Sequence, residues 1–244
     1  MNLIAAQGGV ADGYEAVIMP PAAKIADQPG SAVFLRRSAR PSRRAVLHLH
    51  DLADSFAPAD LARWYNERGF HFYVADLNPR HSLGAARRRP PKSARSCFLE
   101  LDAACAYLRE AAGIDAVILS AQGSASPTAA QWCAARREDS PVDALILSSP
   151  EFGRGLRGSL DIGCPVLVIS ASDGADRRPR RERRGTDSIR LGQHVTWLYL
   201  NAAPADAAAP ADDAAASQDR KRLFDEMGRW LGAYMYGQVR DQLL

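Results

Sequence analysis

The chain has 244 residues, 47% of them hydrophobic and 24% charged, with a net charge of +3, which suits a globular protein with one sizeable core. No apolar run approaches the roughly 18 residues of a membrane span, and residues 1–7 have neither a basic start nor a long apolar stretch, so neither a span nor a secretory signal is expected. The four cysteines, Cys97, Cys105, Cys133 and Cys164, have no CxxC spacing, so buried free thiols and a cytoplasmic location are expected.

Residues 14–19 and 32–37 read as two antiparallel lead-in strands, and residues 45–50 (AVLHLH) as a third strand. A helix is expected over 58–68, with Pro58 at its start and Gly69 at its end. Residues 71–77 (HFYVADL) are a strand, and 80–96 a basic, proline-containing loop. The next helix spans 97–110, with Phe98, Leu101, Cys105 and Leu108 on one face. A strand over 115–121 leads into a helix over 126–137, and further strands follow at 143–149, 164–171 and 194–200. Residues 204–217 are Ala, Asp and Pro in the main and read as a flexible loop. An amphipathic helix over 218–236 closes the pattern, with Leu223, Phe224, Met227, Trp230, Leu231 and Tyr234 inward. Strands alternating with helices predict a single α/β domain over 1–244, with a doubly wound, mostly parallel sheet of about eight strands. In such sheets ligands bind beyond the carboxyl ends of the strands.

The most informative of those ends is Ala116-Val117-Ile118-Leu119-Ser120-Ala121-Gln122-Gly123-Ser124-Ala125-Ser126. An apolar run enters a tight small-residue turn, and a helix follows. That is the layout of a nucleophile elbow, with Ala121 and Ala125 as the small flanks and glycine at the apex. Gly123 tolerates backbone conformations that a side chain resists, so it preserves such a turn while leaving the nucleophile position vacant. The plainer alternative is a turn glycine in a fold that never carried an elbow. A shift of one residue would make Ser124 the nucleophile, which then needs a base within hydrogen-bond reach.

The order of these pieces resembles the α/β-hydrolase superfamily, and within it the lysophospholipase, monoacylglycerol lipase and serine aminopeptidase group. The similar pieces are Val46 to His50, Asp54-Ser55-Phe56, the Arg68-Gly69-Phe70 to Leu77 stretch, Glu100-Leu101-Asp102, and the elbow strand with Trp132. Asp143 to Pro150, Cys164 to Val168, Leu191 to Thr196 and Phe224 to Leu231 continue the likeness. The resemblance implies an ester hydrolase fold with a Ser–His–acid triad, an oxyanion hole and a cap over the site.

The departures from that pattern are specific. The family serine falls on Gly123, and its His-Gly oxyanion pair falls on His50-Asp51. Its catalytic histidine belongs after the last strand, near Ala205, yet no histidine follows His194. Its acid belongs after the seventh strand, where Asp173, Asp176 and Asp187 are open alternatives. Residues 151–163 are too few for a cap, so the cap domain is expected to be absent. The pocket is expected to be lined by His50, Asp51, Leu52 and Ser124. A carboxylate such as Asp51, about 4 Å from a developing oxyanion, would cost about 4 kcal/mol at an effective dielectric of about 20, or about a thousandfold in rate. His50 and His81 read as loop histidines, and His48 as a core histidine. A metal site at His48, His50 and Asp51 is not expected, because neighbours along one strand do not converge on one ion.

The resulting expectation is a catalytically degenerate α/β-hydrolase that binds a small molecule or a protein partner. One alternative is an ester hydrolase using Ser124. Another is an acidic-partner module built on Arg177, Arg178, Arg180, Arg181, Arg183 and Arg184. That run has no interleaved aromatic residues, so nucleic acid is not the expected partner. No cofactor is expected.

Overall fold

The computed structural model describes residues 15–18, 32–38, 40–49, 59–75, 94–150, 152, 158–171, 189–191, 194–200 and 214–235. The strands in chain order are β1 (Glu15–Ile18), β2 (Ala32–Arg36), β3 (Arg44–Leu49), β4 (His71–Ala75), β5 (Ala116–Gln122), β6 (Ala144–Ser148), β7 (Gly158–Ser159), β8 (Val166–Ala171), β9 (Ile189–Arg190) and β10 (Val195–Leu200). The helices are α1 (Ala59–Glu67), α2 (Ala94–Ala106), α3 (Ser126–Ala135) and α4 (Ala214–Met235). Eight strands form one sheet in the order β1-β2-β4-β3-β5-β6-β8-β10. The pairs β1·β2 and β2·β4 are antiparallel, and the pairings from β4 through β10 are parallel. This is the mostly parallel sheet that the alternating pattern predicts.

Parallel strands need cover on both faces, so their side chains are apolar in both directions. In β5, Val117 and Leu119 join one core while Ile118 joins the other. The first core takes Leu101 and Cys105 of α2 and Ala129, Trp132 and Cys133 of α3. The second takes Trp64 and Tyr65 of α1 and Met227, Trp230 and Leu231 of α4. Helices therefore cover the two sheet faces in pairs.

Polar staples hold the frame. Asp102 on α2 accepts from Trp132 Nε1 at 3.0 Å and from Arg136 Nε and Nη2 at 3.0 and 2.6 Å, which ties α2 to α3. Asp143 Oδ2 accepts from the Val117 N–H at 2.7 Å and from Arg109 Nη2 at 2.8 Å, which fixes the entry of β5 beside β6. Gly69 ends α1 at φ +76°, where the Phe70 N–H returns to Tyr65 O at 3.0 Å. That is the left-handed termination for which glycine is suited.

Several element limits differ from the sequence reading. α2 begins at Ala94, inside the expected basic loop, because alanine and arginine favour helix. It then widens into a π turn over Tyr107–Ala111, which the 3.6-residue pattern does not signal. α4 begins at Ala214, so residues 214–217 are helical rather than loop. The Ala214 to Ala216 run has the highest helix propensity of any residue type. Residues 204–213 lie outside the described residues. The two-residue strands β7 and β9 pair in parallel as a separate small sheet, which was not expected. Residues 149–165 alone separate β6 from β8. Among the described residues, no helix is long and apolar enough to cross a membrane.

Candidate functional site

The parallel strands end along one edge of the sheet. Leu49 pairs with Ala121, Gln122 with Ser148, Ser148 with Ile169, and Ala171 with Leu200. At the centre of this edge β5 must turn back into α3 within three residues. Gln122 is still extended at φ −121°, ψ 144°. Gly123 then takes φ +53° and begins a single 3-10 turn, Gly123–Ala125. Ser126 is already helical at φ −59°, ψ −43°, and its N–H reaches Gly123 O.

Small residues permit this close return. Ala121, Ala125, Ala129 and Ala130 are buried between strand and helix. The Ser126 hydroxyl, also fully buried, donates to Ala121 O at 3.2 Å and closes the turn. Pro127 sits in the first turn of α3, where a missing N–H costs nothing. The local sequence thus dictates a strand, a left-handed residue and a helix. The left-handed position falls on Gly123, and Ser124 is not among the positive-φ residues. Ser124 is half-buried as the second residue of the turn.

The other sequence-predicted site residues, His50, Asp51, Leu52, Asp173 and Asp187, lie outside the described residues. So do His81 and the 177–184 arginine run. Leu49, the last residue of β3, pairs with Ala121, two residues before Gly123.

His48 belongs to the core. It pairs in register with Ser120, and its Nδ1 lies 3.1 Å from Ser120 Oγ. The two are 2% and 3% exposed, and the imidazole stacks on Phe72 at 5.5 Å. Buried in this way, the pair ties β3 to β5 below the turn. Among the described residues, no group of three or more His, Cys, Asp or Glu side chains is placed to hold a metal ion.

Sequence reasoning missed Ser149. It follows β6 at φ +45°, the single non-glycine residue with positive φ among those described. Its N–H donates to Ile169 O at 2.8 Å. Because Ser148 pairs with Gln122, Ser149 and Gly123 are neighbouring left-handed residues on the same edge. The sequence signal points the other way, since a residue before proline, here Pro150, favours extended backbone.

No protein-family model and no curated protein sequence matches the chain. Solved structures do. The apo form of Thermogutta terrifontis esterase 2 aligns with TM-score 0.57 and 14% identity over 92% of this chain and 97% of that one. The same esterase phosphonylated by sarin aligns with TM-score 0.58 and 14% identity, over 92% and 96% of the two chains. Est1E from Butyrivibrio proteoclasticus gives TM-score 0.55 and 11% identity over 87% and 99%. At this identity the likeness concerns the backbone. With the strand order and the sharp β5–α3 turn, it establishes that the chain is built on the α/β-hydrolase fold.

Proposed function

We propose that the protein is a catalytically degenerate α/β-hydrolase, derived from the lysophospholipase, monoacylglycerol lipase and serine aminopeptidase type of site. It binds a small molecule or a protein partner at the strand edge without cleaving an ester. The observation that carries this reading is Gly123, which occupies the buried, positive-φ residue between β5 and α3. A residue at that apex would supply the side chain of a nucleophile elbow, and glycine has none to supply. The sequence adds that no histidine follows His194, the region where the base belongs, and that Asp51 stands where the oxyanion pair needs glycine.

A phosphonylating probe tests the reading directly, since a fold neighbour is phosphonylated by sarin. The expected outcome is no labelling by a fluorophosphonate and no turnover of short p-nitrophenyl esters above background. Stoichiometric labelling that is lost in Ser124→Ala would establish instead an active hydrolase using Ser124, the half-buried hydroxyl next to the apex.

A further inference from the structure

The sheet ends on one side at β10, and among the described residues β10 pairs only with β8. Val195 lies opposite Val166, and the Val166 N–H donates to His194 O at 2.8 Å. A strand residue points its N–H and C=O to the same side, and successive residues alternate sides. His194, Thr196 and Leu198 therefore bond to β8, while Val195 and Trp197 direct their backbone groups to the outer edge. Every residue from Val195 to Tyr199 is half-buried, whereas Val166 to Ser170 of β8 are all buried. The strand reads Val-Thr-Trp-Leu-Tyr-Leu, and its register with β8 runs unbroken. It carries none of the charges or prolines that keep a bare edge from pairing. Val195 and Trp197 pack on the core of α2 and α3, Leu198 packs on the core of α1 and α4, and Trp197 stacks on Tyr199 at 6.1 Å.

We propose that β10 is a homodimer interface, in which a second copy of this chain pairs antiparallel with it about a two-fold axis at Thr196 and extends the sheet across both copies. A second copy fits this edge for three reasons. The outward residues Val195 and Trp197 are two apart, so about Thr196 each faces the copy of the other, and the two exchange both backbone bonds as bonded antiparallel pairs do. The facing side chains are then Trp197 with Val195 and Thr196 with Thr196; aromatic–β-branched and Thr–Thr pairs both stabilise adjacent strands. The strand is uncharged, so two copies meet without like-charge repulsion, and nothing in it selects a partner of opposite charge. An axis at Trp197 would instead crowd two indoles on the face where each already stacks on Tyr199.

The alternation also fixes how the layers meet. Bonded residues on both copies come from the same set, Val195 and Trp197, so the axis stands perpendicular to the sheet and each apolar face continues into its own copy. Pairing of this kind removes the bare edge, which in a monomer is a template for aggregation. The strands run in opposite directions across the axis, so the two Gly123 turns open at opposite ends of the dimer and strand pairing covers neither. The interface is thus separate from the ligand edge, and it stands or falls independently of the reading of Gly123.

The test is sedimentation velocity on the full chain at micromolar concentration. The expected mass is twice the 26.4 kDa of one chain. Val195→Pro removes an outward N–H and no bond to β8, an orientation in which an edge strand tolerates proline. It should sediment as a monomer with its circular dichroism unchanged. Thr196→Glu and Thr196→Lys should each be monomeric, because the axis sets two like charges face to face. An equimolar mixture of the two should restore the dimer, and that gain of association cannot come from a folding defect. A monomeric wild type, a dimer that survives Val195→Pro or either charge variant, or a mixture of the folded charge variants that stays monomeric would overturn the proposal.

Discussion

Gly123→Ala is the smallest change that interrogates the turn, because it adds one methyl and no chemistry. At φ +53° an L-residue with a Cβ costs about 1–2 kcal/mol, and strained sites at functional turns cost about 1–3 kcal/mol. For a chain of this size each kcal/mol lowers the thermal midpoint by about 2–4 °C. Gly113 supplies an internal reference, since it has φ +67° and nothing within 4 Å of an added Cβ. Gly113→Ala therefore reports the conformational cost alone, and any excess in Gly123→Ala reports crowding in the buried turn. Urea and thermal unfolding of both variants give the comparison. If Gly123→Ala changes stability by less than about 0.5 kcal/mol, the turn is not held left-handed and the elbow reading fails. Gly123→Ser should be destabilised likewise and should still not hydrolyse p-nitrophenyl esters, because a serine hydroxyl is a weak nucleophile without a base. The smallest repair that addresses nucleophile, oxyanion hole and base together is Gly123→Ser with Asp51→Gly and Ala205→His. Robust esterase activity from Gly123→Ser alone would mean that a base already serves the cleft, and the account of a dismantled site would fall.

Three further outcomes are expected. Ser149→Gly relieves the strain at φ +45° and should raise stability by up to about 1 kcal/mol in urea unfolding; a loss would assign the hydroxyl a structural partner. Asp102→Ala leaves the Trp132 indole N–H and the Arg136 guanidinium without their shared acceptor, at a cost of about 1–3 kcal/mol; adding Arg136→Ala should cost less than the sum of the single changes. For the arginine run, retention on heparin should weaken steeply with salt, and Ser at Arg180, Arg181, Arg183 and Arg184 should abolish it with the thermal midpoint unchanged; equal retention before and after leaves the run a solvated connector.

The sheet was legible because its physics is periodic. Continuous apolar runs such as Val117 to Leu119 and Leu145 to Leu147 can be buried only by a sheet covered on both faces, and both contribute to the two cores. Helix limits were less legible. Their ends depend on whether local propensity outlasts tertiary packing, and at Ala94 and Ala214 propensity extends the helix beyond its apolar face. The π turn at Tyr107–Ala111 and the left-handed Ser149 were not legible at all. Both are set by how an element must meet its neighbours, which no residue on its own announces.

The candidate site was legible at one residue for an energetic reason. A nucleophile elbow demands a side chain at a backbone conformation that side chains resist, so the apex carries strain of about 1–3 kcal/mol. Glycine at Gly123 removes that strain together with the reactive atom. On the proposed reading, loss of a nucleophile at this position is thus downhill in stability and needs no compensating change in the sheet. That explains how a fold with an intact β5–α3 turn, a buried Ser126 bond to Ala121 and two packed helix layers coexists with an apex that has no nucleophile. On the proposed reading Asp51 is different in kind, because a carboxylate where an oxyanion pair would stand gives the fold no comparable benefit. Asp51→Gly should therefore leave the thermal midpoint nearly unchanged while Gly123→Ser lowers it. A large loss of stability in Asp51→Gly would show that the carboxylate has acquired a structural role, and that the edge of the sheet has been rebuilt rather than merely emptied.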